Sequence, residues 1–254
     1  MEKHKIDDIA FVAGRWPLDP ALQTIVFIHG AGGTSVLWNA QVAAFASRFN
    51  TIALDLPGHG DSGGKAMDRV EDYAASVSRF IRSTGALRPV VCGLSMGGAI
   101  ALQLLIDEQD AFSAGIAANT GAKLKTMPLV FEMIEKDYNG FVNGMYTFAV
   151  SAKTDPARIK PLVDGMGKTP PEIVKGDFMA CNGFNVMDRL DRIRTPVLVI
   201  TAAEDQLTPM KYGRFLADQI NGAEIVTIED AGHLSPMEQP EAVIRAIDDF
   251  LARL

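Results

Sequence analysis

The stretch from residue 90 to residue 100, Val-Val-Cys-Gly-Leu-Ser-Met-Gly-Gly-Ala-Ile, constrains the fold of this chain more than any other. It predicts a buried strand, a Gly-x-Ser-x-Gly turn and the start of an apolar helix. A chain that passes from strand to helix within a few residues must hold Ser95 on a sharp, strained turn with its hydroxyl facing outward. Gly93 and Gly97 leave room where the two backbones approach. This is the setting that a nucleophilic serine requires.

Ser95 alone does not establish a catalytic site, because two glycines around a serine also occur by chance. Met96 adds a second feature. It opens the predicted helix, so its backbone N–H has no partner within that helix and points to where negative charge would develop. The interpretation then depends on whether the chain supplies a base and an acid for the serine.

The rest of the chain alternates apolar runs with amphipathic segments, which predicts parallel strands joined by right-handed helical crossovers. This alternation stops between about residues 121 and 188, where four helix-like pieces are rich in Met and Phe and no convincing strand is found. It resumes at Val197. We therefore predict an α/β core domain from residues 1–120 and 189–254, with residues 121–188 as a helical insertion.

Four histidines are candidates for the base. His4 lies in the terminal segment, and we assign structural roles to His29, before a Gly-rich loop, and His59, in a Pro-Gly-His-Gly turn. His233 directly follows a predicted strand and precedes the last helix. Ligands of an open parallel sheet bind beyond the carboxyl ends of its strands, the edge that also carries Ser95. We therefore predict that His233 takes the proton of Ser95.

The acid that orients the base should follow another strand. Glu204 and Asp205 both come after the strand that begins near Val197. We favour Asp205, because the chain turns there toward the next helix, while Glu204 remains the alternative. A plain helix-capping role for Asp205 also stays open. The resulting chain order is Ser95, Asp205 and His233.

Composition narrows the class of partner. The net charge of −7 argues against nucleic acid and against an anionic membrane surface. No run approaches the roughly 18 apolar residues of a membrane span, and the polar N-terminal segment does not resemble a signal peptide. The two cysteines form no disulfide framework, so we expect a reducing cytoplasm. We expect no metal and no cofactor, and the sequence indicates no oligomeric state.

These motifs resemble the α/β-hydrolase superfamily, in the family's order, and are similar to its small serine carboxylesterases and related C–C hydrolases and perhydrolases. The segments that carry the resemblance are residues 29–33, 55–62, 93–98, 204–205 and 232–233. The resemblance implies a mostly parallel sheet of seven or eight strands flanked by helices. The lower number follows from a short N-terminal part.

The resemblance also implies roles for particular residues. The backbone N–H groups of Ala31 and Met96 would form the oxyanion hole, with Gly32 as the fallback donor. Ser95 excludes the branches whose nucleophile is Asp or Cys. Residues 121–188 would form a cap over the nucleophile. Its candidate pocket walls are Leu124, Met127, Phe131, Met145 and Phe148.

The favoured hypothesis is hydrolysis of a small carboxylic ester through an acyl-enzyme intermediate on Ser95. Three alternatives stay open. The same residues could cleave a carbon–carbon bond or an enol-lactone, or act as a perhydrolase. A chain of another class, a non-enzymatic receptor for a small ligand, could also retain the three side chains.

Overall fold

Eight strands form one sheet in the computed structural model, which describes residues 2–254. The strands are β1 (Glu2–Ile6), β2 (Ile9–Ala13), β3 (Thr24–Ile28), β4 (Asn50–Leu54), β5 (Val90–Leu94), β6 (Ala114–Ala118), β7 (Val197–Ala202) and β8 (Glu224–Ile228). Their order across the sheet is β1-β2-β4-β3-β5-β6-β7-β8. The pairs β1–β2 and β2–β4 are antiparallel, and all the others are parallel. The predicted fold class is confirmed, with eight strands rather than seven.

In the part of the chain that the structure describes, ten α-helices accompany the sheet. They are α1 (Asn39–Phe45), α2 (Val70–Thr84), α3 (Met96–Asp107), α4 (Pro128–Lys136), α5 (Tyr138–Phe148), α6 (Pro156–Met166), α7 (Pro171–Gly183), α8 (Met210–Gln219), α9 (Ser235–Glu238) and α10 (Pro240–Leu251). Short 3-10 turns cover Ser35–Trp38, Gln109–Ala111 and Leu190–Arg192. Within residues 2–254, no helix combines the length and the apolar character needed to cross a membrane.

The central strands are apolar on both faces because helices cover both sides of the sheet. In β3, Val26 and Ile28 join one buried cluster, whereas Ile25 and Phe27 join the other, as alternation along a strand requires. Helices α2, α3 and α8 contribute to the first cluster, and α1 and α10 to the second. The helix α3 is buried along nearly its whole length, which explains why its sequence is apolar all round.

Residues 121–188, which we call the helical segment, lie between β6 and β7 and contain α4 to α7. The two ends of this segment are tied together. Lys123 forms an isolated antiparallel bridge with Asn185, and the Val186 N–H donates to the Ala122 carbonyl at 2.7 Å. The segment therefore leaves and rejoins the sheet at one place, between two neighbouring strands.

The turn between β5 and α3 brings backbone against backbone. A Cβ atom added at Gly97 would lie 2.4 Å from the Ile28 carbonyl oxygen and 2.6 Å from that of His29. A Cβ atom at Gly93 would lie 2.0 Å from the Gly97 carbonyl oxygen. Only glycine fits at these two positions, because backbone atoms cannot move aside as a flexible side chain can.

We expect Gly97→Ala to lower the free energy of unfolding by about 2–4 kcal/mol, because the new methyl group must displace the end of β3. The matched control is Gly183→Ala, since a Cβ atom there would meet nothing within 4 Å. That control should change stability by less than about 1 kcal/mol. Urea unfolding of the two variants measures the difference, and equal stabilities would contradict the close approach.

Candidate active site

Ser95 occupies the strained turn that the sequence predicts. Its backbone has φ 56° and ψ −116°, a conformation that side-chain-bearing residues rarely adopt. Neighbouring bonds hold the turn in place. The Ser95 N–H donates to the Ala118 carbonyl at 2.9 Å, and the Thr120 hydroxyl donates to the Ser95 carbonyl at 2.8 Å. Residues at and just after the end of β6 therefore hold Ser95 in its strained conformation.

His233 and Asp205 form a buried hydrogen-bonded pair. The His233 Nδ1 atom lies 2.9 Å from Asp205 Oδ2 and 3.1 Å from Oδ1. A carboxylate can only accept, so Nδ1 carries the proton and Nε2 is left with a lone pair. Asp205 follows β7 and His233 follows β8, as the sequence predicts. The alternative acid, Glu204, instead accepts from the Ser151 hydroxyl at 2.7 Å.

The surroundings of Asp205 favour its ionised form. The carboxylate accepts from the Asn119 side chain at 2.9 Å, from the Thr208 hydroxyl at 2.7 Å, and from the backbone N–H groups of Leu207 and Thr208. Burial by itself raises the pKa of Asp205. The interactions with His233 and these donors outweigh burial and hold the pKa well below its usual range. The ring thus faces a fixed negative charge.

Ser95 and His233 border one cavity of about 230 Å³. Within residues 2–254, the Ser95 hydroxyl makes no hydrogen bond to another side chain, so it is free to turn toward His233 or a ligand. Most of the wall is apolar. The exposed side chains of Met127 and Leu207 mark the mouth of the cavity.

Four of the five residues predicted as pocket walls line this cavity, namely Leu124, Met127, Met145 and Phe148. Phe131 is not among the described residues that line this cavity. Val130, its neighbour on α4, lines the cavity instead, because consecutive helical residues point about 100° apart. The sequence analysis missed Phe141, which also lines it. Its spacing from Met145 and Phe148 puts all three on one face of α5 and could have identified it.

Of the two predicted oxyanion donors, one lies at this cavity and the other directly follows Ser95 in the chain. Ala31 lines the cavity, and Met96 is the first residue of α3. In residues 2–254, neither of these N–H groups has a hydrogen-bond acceptor. The fallback donor, Gly32, is already engaged, because its N–H donates to Asp177 Oδ2 at 2.7 Å. Gly32 is therefore not free to bind an oxyanion.

Asp177 is a residue that the sequence analysis missed. It lies on α7 in the helical segment and is completely buried. Besides the Gly32 N–H, its carboxylate accepts from the Tyr73 hydroxyl at 2.6 Å and from His59 Nε2 at 2.8 Å. One carboxylate thus joins the helical segment to the loop that carries Ala31. No local pattern marks Asp177, because all of its partners are distant in the sequence.

The two histidines beside Asp177 have opposite protonation states. His59 donates from both ring nitrogens, to the Pro57 carbonyl at 3.1 Å and to Asp177 at 2.8 Å. Burial lowers the pKa of His59, but the charge and hydrogen bond of Asp177 outweigh this and raise it. His29 accepts from the Leu56 N–H at 2.9 Å and must be neutral. Burial and the nearby charge of His59 lower the pKa of His29 to about 4.

The helical segment also holds the loop of His233. The His233 N–H donates to the Ala149 carbonyl at 2.9 Å. The buried carboxylate of Glu238 accepts from the Gly232 N–H at 3.0 Å and from the Ser151 N–H at 2.7 Å. Among residues 2–254, no group of three or more His, Cys, Asp or Glu side chains is arranged to hold a metal ion.

We expect Asp177→Leu to lower the free energy of unfolding by about 3–5 kcal/mol, because it leaves the buried His59 charge without a partner. Asp164→Leu is the control, since Asp164 is exposed on α6 and pairs only with Lys160. That variant should change stability by less than about 1 kcal/mol. The double variant His59→Leu with Asp177→Leu should lose less than the sum of the single variants. Additive losses in urea unfolding would contradict a coupled pair.

The pKa of about 4 for His29 predicts a loss of stability in acid. Between pH 7 and pH 4.5 the unfolded chain takes up a proton at His29 and the folded chain does not, so unfolding becomes easier by about 2–3 kcal/mol. His59 does not offset this loss, because the stabilisation from its raised pKa is complete below pH ~6.5. The stabilisation from the lowered pKa of Asp205 is lost only below pH ~4.

Urea unfolding as a function of pH tests this dependence. In His29→Gln the free energy of unfolding should fall less between pH 7 and pH 4.5, because glutamine does not titrate. His4→Gln, a change at a half-buried position on β1, should leave the pH dependence of the free energy of unfolding unchanged. If His29→Gln lost as much stability between pH 7 and pH 4.5 as the unchanged chain, another group would cause the loss.

Comparison with known proteins places this site in context. A sequence model of the alpha/beta hydrolase family matches residues 25–246. The chain is 26% identical over 241 residues to a pimeloyl-(acyl-carrier protein) methyl ester esterase of Nitrosomonas europaea, covering 88% of this chain and 94% of that protein. It is 26% identical over 243 residues to 3-oxoadipate enol-lactonase 2 of Acinetobacter baylyi, covering 90% of this chain and 88% of that protein.

A solved structure agrees with these relatives. A thermophilic esterase from Thermogutta terrifontis superposes with a TM-score of 0.86 at 26% identity, covering 96% of this chain and 93% of that one. These three proteins, each similar along most of the chain, are two esterases and a lactonase, which supports an enzyme rather than a non-enzymatic receptor. The chain belongs to the α/β hydrolase family and is a hydrolase.

Proposed function

We propose that this hydrolase cleaves small carboxylic esters through an acyl-enzyme intermediate on Ser95, with His233 as the base and Asp205 as its partner. One observation carries the proposal. His233 donates its Nδ1 proton to Asp205 at 2.9 Å while His233 and Ser95 border the same cavity. The lone pair on Nε2 is then the group available to accept the serine proton.

In the first half of the reaction, Ser95 Oγ attacks the ester carbonyl carbon and its proton passes to His233 Nε2. The tetrahedral intermediate collapses, and the imidazolium returns that proton to the leaving alcohol. In the second half, water attacks the acyl-enzyme with His233 again as base. The carboxylic acid leaves and the Ser95 hydroxyl is restored. Asp205 stabilises the positive ring in both halves without taking its proton.

The oxyanion is bound by the backbone N–H groups of Ala31 and Met96. Both groups lack another acceptor among the described residues, and they flank the turn that carries Ser95. Asp177 supports this arrangement, because its bond to the Gly32 N–H holds the loop that follows Ala31. Removing one donor of this kind typically reduces turnover by about 10²- to 10³-fold.

Residues 121–188 act as a cap over the core domain formed by residues 1–120 and 189–254. The cap supplies much of the apolar cavity wall, including Leu124, Met145 and Phe148. Flexible Met and rigid Phe side chains suit an apolar acyl or alcohol group more than a strongly hydrated one.

Both cysteines are free and buried, which fits the reducing cytoplasm expected from composition.

Enol-lactone hydrolysis is the second candidate. A lactone is an internal ester, so the same attack by Ser95 opens it, and the leaving oxygen stays attached to the acyl group. The similarity to 3-oxoadipate enol-lactonase 2 over 90% of the chain favours this alternative. The two candidates share every catalytic residue and differ only in the shape of the substrate.

Catalytic variants test the roles of these residues. With 4-nitrophenyl esters, we expect Ser95→Ala to lower kcat by about 10⁴-fold or more, because no nucleophile remains. Asp205→Asn should cost about 10⁴-fold, because it favours the wrong tautomer of His233. Glu204→Gln is the matched control and should stay within a few-fold of the unchanged chain. A large loss in Glu204→Gln would move the acid to that residue.

A serine-directed phosphonate gives an independent measurement. Intact mass should show a single adduct on the unchanged chain and none on Ser95→Ala. A series of 4-nitrophenyl esters from acetate to decanoate then measures the chain length that the cavity accepts. An adduct with almost no turnover of any ester or lactone would contradict the proposed reaction while leaving Ser95 as the reactive residue.

A further inference from the structure

A second cavity, which we call the lysine groove, adjoins the cavity of Ser95. Its volume is about 230 Å³, and its wall contains Lys123, Lys125, Lys211 and Tyr212. Two of these residues, Lys125 and Tyr212, also line the cavity that holds Ser95 and His233. The two cavities therefore share a wall at the mouth of the candidate active site. No step of the proposed reaction uses the groove.

Three of the residues that line the groove are lysines and the others are apolar or aromatic, in a chain whose net charge is −7. Among the described residues, no Asp or Glu side chain lines the groove, and none lines the adjoining cavity. Within residues 2–254, none of the three groove lysines has a carboxylate oxygen within 4.0 Å. Outside the groove, five of the eight lysines pair with an acidic side chain within residues 2–254. Three lysine side chains thus line one opening without a carboxylate partner among the described residues.

The walls of the groove are held in place from both sides. On one side, the Ala122 carbonyl accepts from the Val186 N–H at 2.7 Å, and Lys125 Nζ donates to the Asn182 carbonyl at 3.3 Å. On the other, Tyr212 on α8 packs so closely on Gly121 that an added Cβ atom would lie 2.6 Å from the ring. The groove is therefore a surface with a defined shape, built where the helical segment leaves the core.

We infer that the lysine groove binds an anionic group, a carboxylate or a phosphate, on the same substrate whose ester bond lies at Ser95. An ammonium group stabilises either anion as a point charge. The shared wall at Lys125 lets a single molecule occupy both cavities, with its apolar part among the cap residues and its charge outside. This inference rests on the proposed ester hydrolysis and adds the class of substrate, a negatively charged ester.

Matched pairs of esters test the inference. On the alcohol side, 4-acetoxybenzoate and 4-acetoxyphenyl phosphate are compared with neutral methyl 4-acetoxybenzoate. On the acyl side, monomethyl adipate is compared with dimethyl adipate. In at least one series we expect kcat/KM to be about tenfold higher for the anionic ester, mainly through KM, because several modest charge interactions add. Comparing kcat/KM for 4-acetoxybenzoate and 4-acetoxyphenyl phosphate shows whether the groove prefers a carboxylate or a phosphate.

The variant Lys125→Glu should abolish or reverse this preference, read as the ratio of kcat/KM for the anionic and neutral esters. Lys168→Glu is the control, because Lys168 is an exposed lysine outside the groove and the change in net charge is the same. In the unchanged chain the ratio should also fall as salt rises, because salt screens exposed charges.

The outcomes separate this inference from the proposed function. Hydrolysis of the neutral esters without an anionic preference would overturn the role of the lysine groove and leave the ester hydrolase intact. A preference that Lys125→Glu and Lys168→Glu reduce equally would reflect overall charge and would also overturn it. If no ester of any pair were hydrolysed, the proposed function itself would be contradicted.

Discussion

The close passage of α3 across the end of β3 is the constraint on which the site depends. Gly93 and Gly97 allow backbone atoms to approach where any Cβ atom would collide with a carbonyl group. This approach forces the chain through the positive φ of Ser95 and leaves the Met96 N–H beside the hydroxyl. The Ser95 hydroxyl, which we propose as the nucleophile, and a backbone hydrogen-bond donor are thus placed together by one backbone requirement.

A second constraint is electrostatic and lies behind the cavity wall. Asp177 accepts from His59, Tyr73 and the Gly32 N–H, and all of these groups are buried. A buried charge is costly unless it is paired and its remaining lone pairs are satisfied. Here burial, together with the charge of the paired His59 ring, lowers the pKa of its neighbour His29 and keeps it neutral. The network specifies how the helical segment sits on the loop of Ala31.

The helical segment therefore does more than line the cavity that Ser95 borders. Its Ala149 carbonyl holds the loop of His233, and its Asp177 holds the loop beside Ala31. The same segment supplies Lys125 to both cavities. The cavity wall and the loops of Ala31 and His233 are consequently linked through one element.

The sequence by itself determined the sheet, the turn at Ser95 and the strand ends that carry Asp205 and His233. Strand alternation, glycine spacing and chain order are local properties that backbone geometry translates directly into structure. It left the number of strands at seven or eight, because β1 is short and largely exposed and lacks the apolar pattern of a buried strand.

Only the tertiary structure decided which long-range partners meet. It places Val130 rather than Phe131 at the cavity, engages Gly32 with Asp177, and opens the lysine groove beside Tyr212. These outcomes depend on how helices dock onto the sheet. Asp177 and Gly32 are separated by 145 positions in the chain, and no periodicity encodes their contact. Local patterns specify which faces are buried. The hydrogen-bond partner of a buried polar group is set only when those faces have packed together.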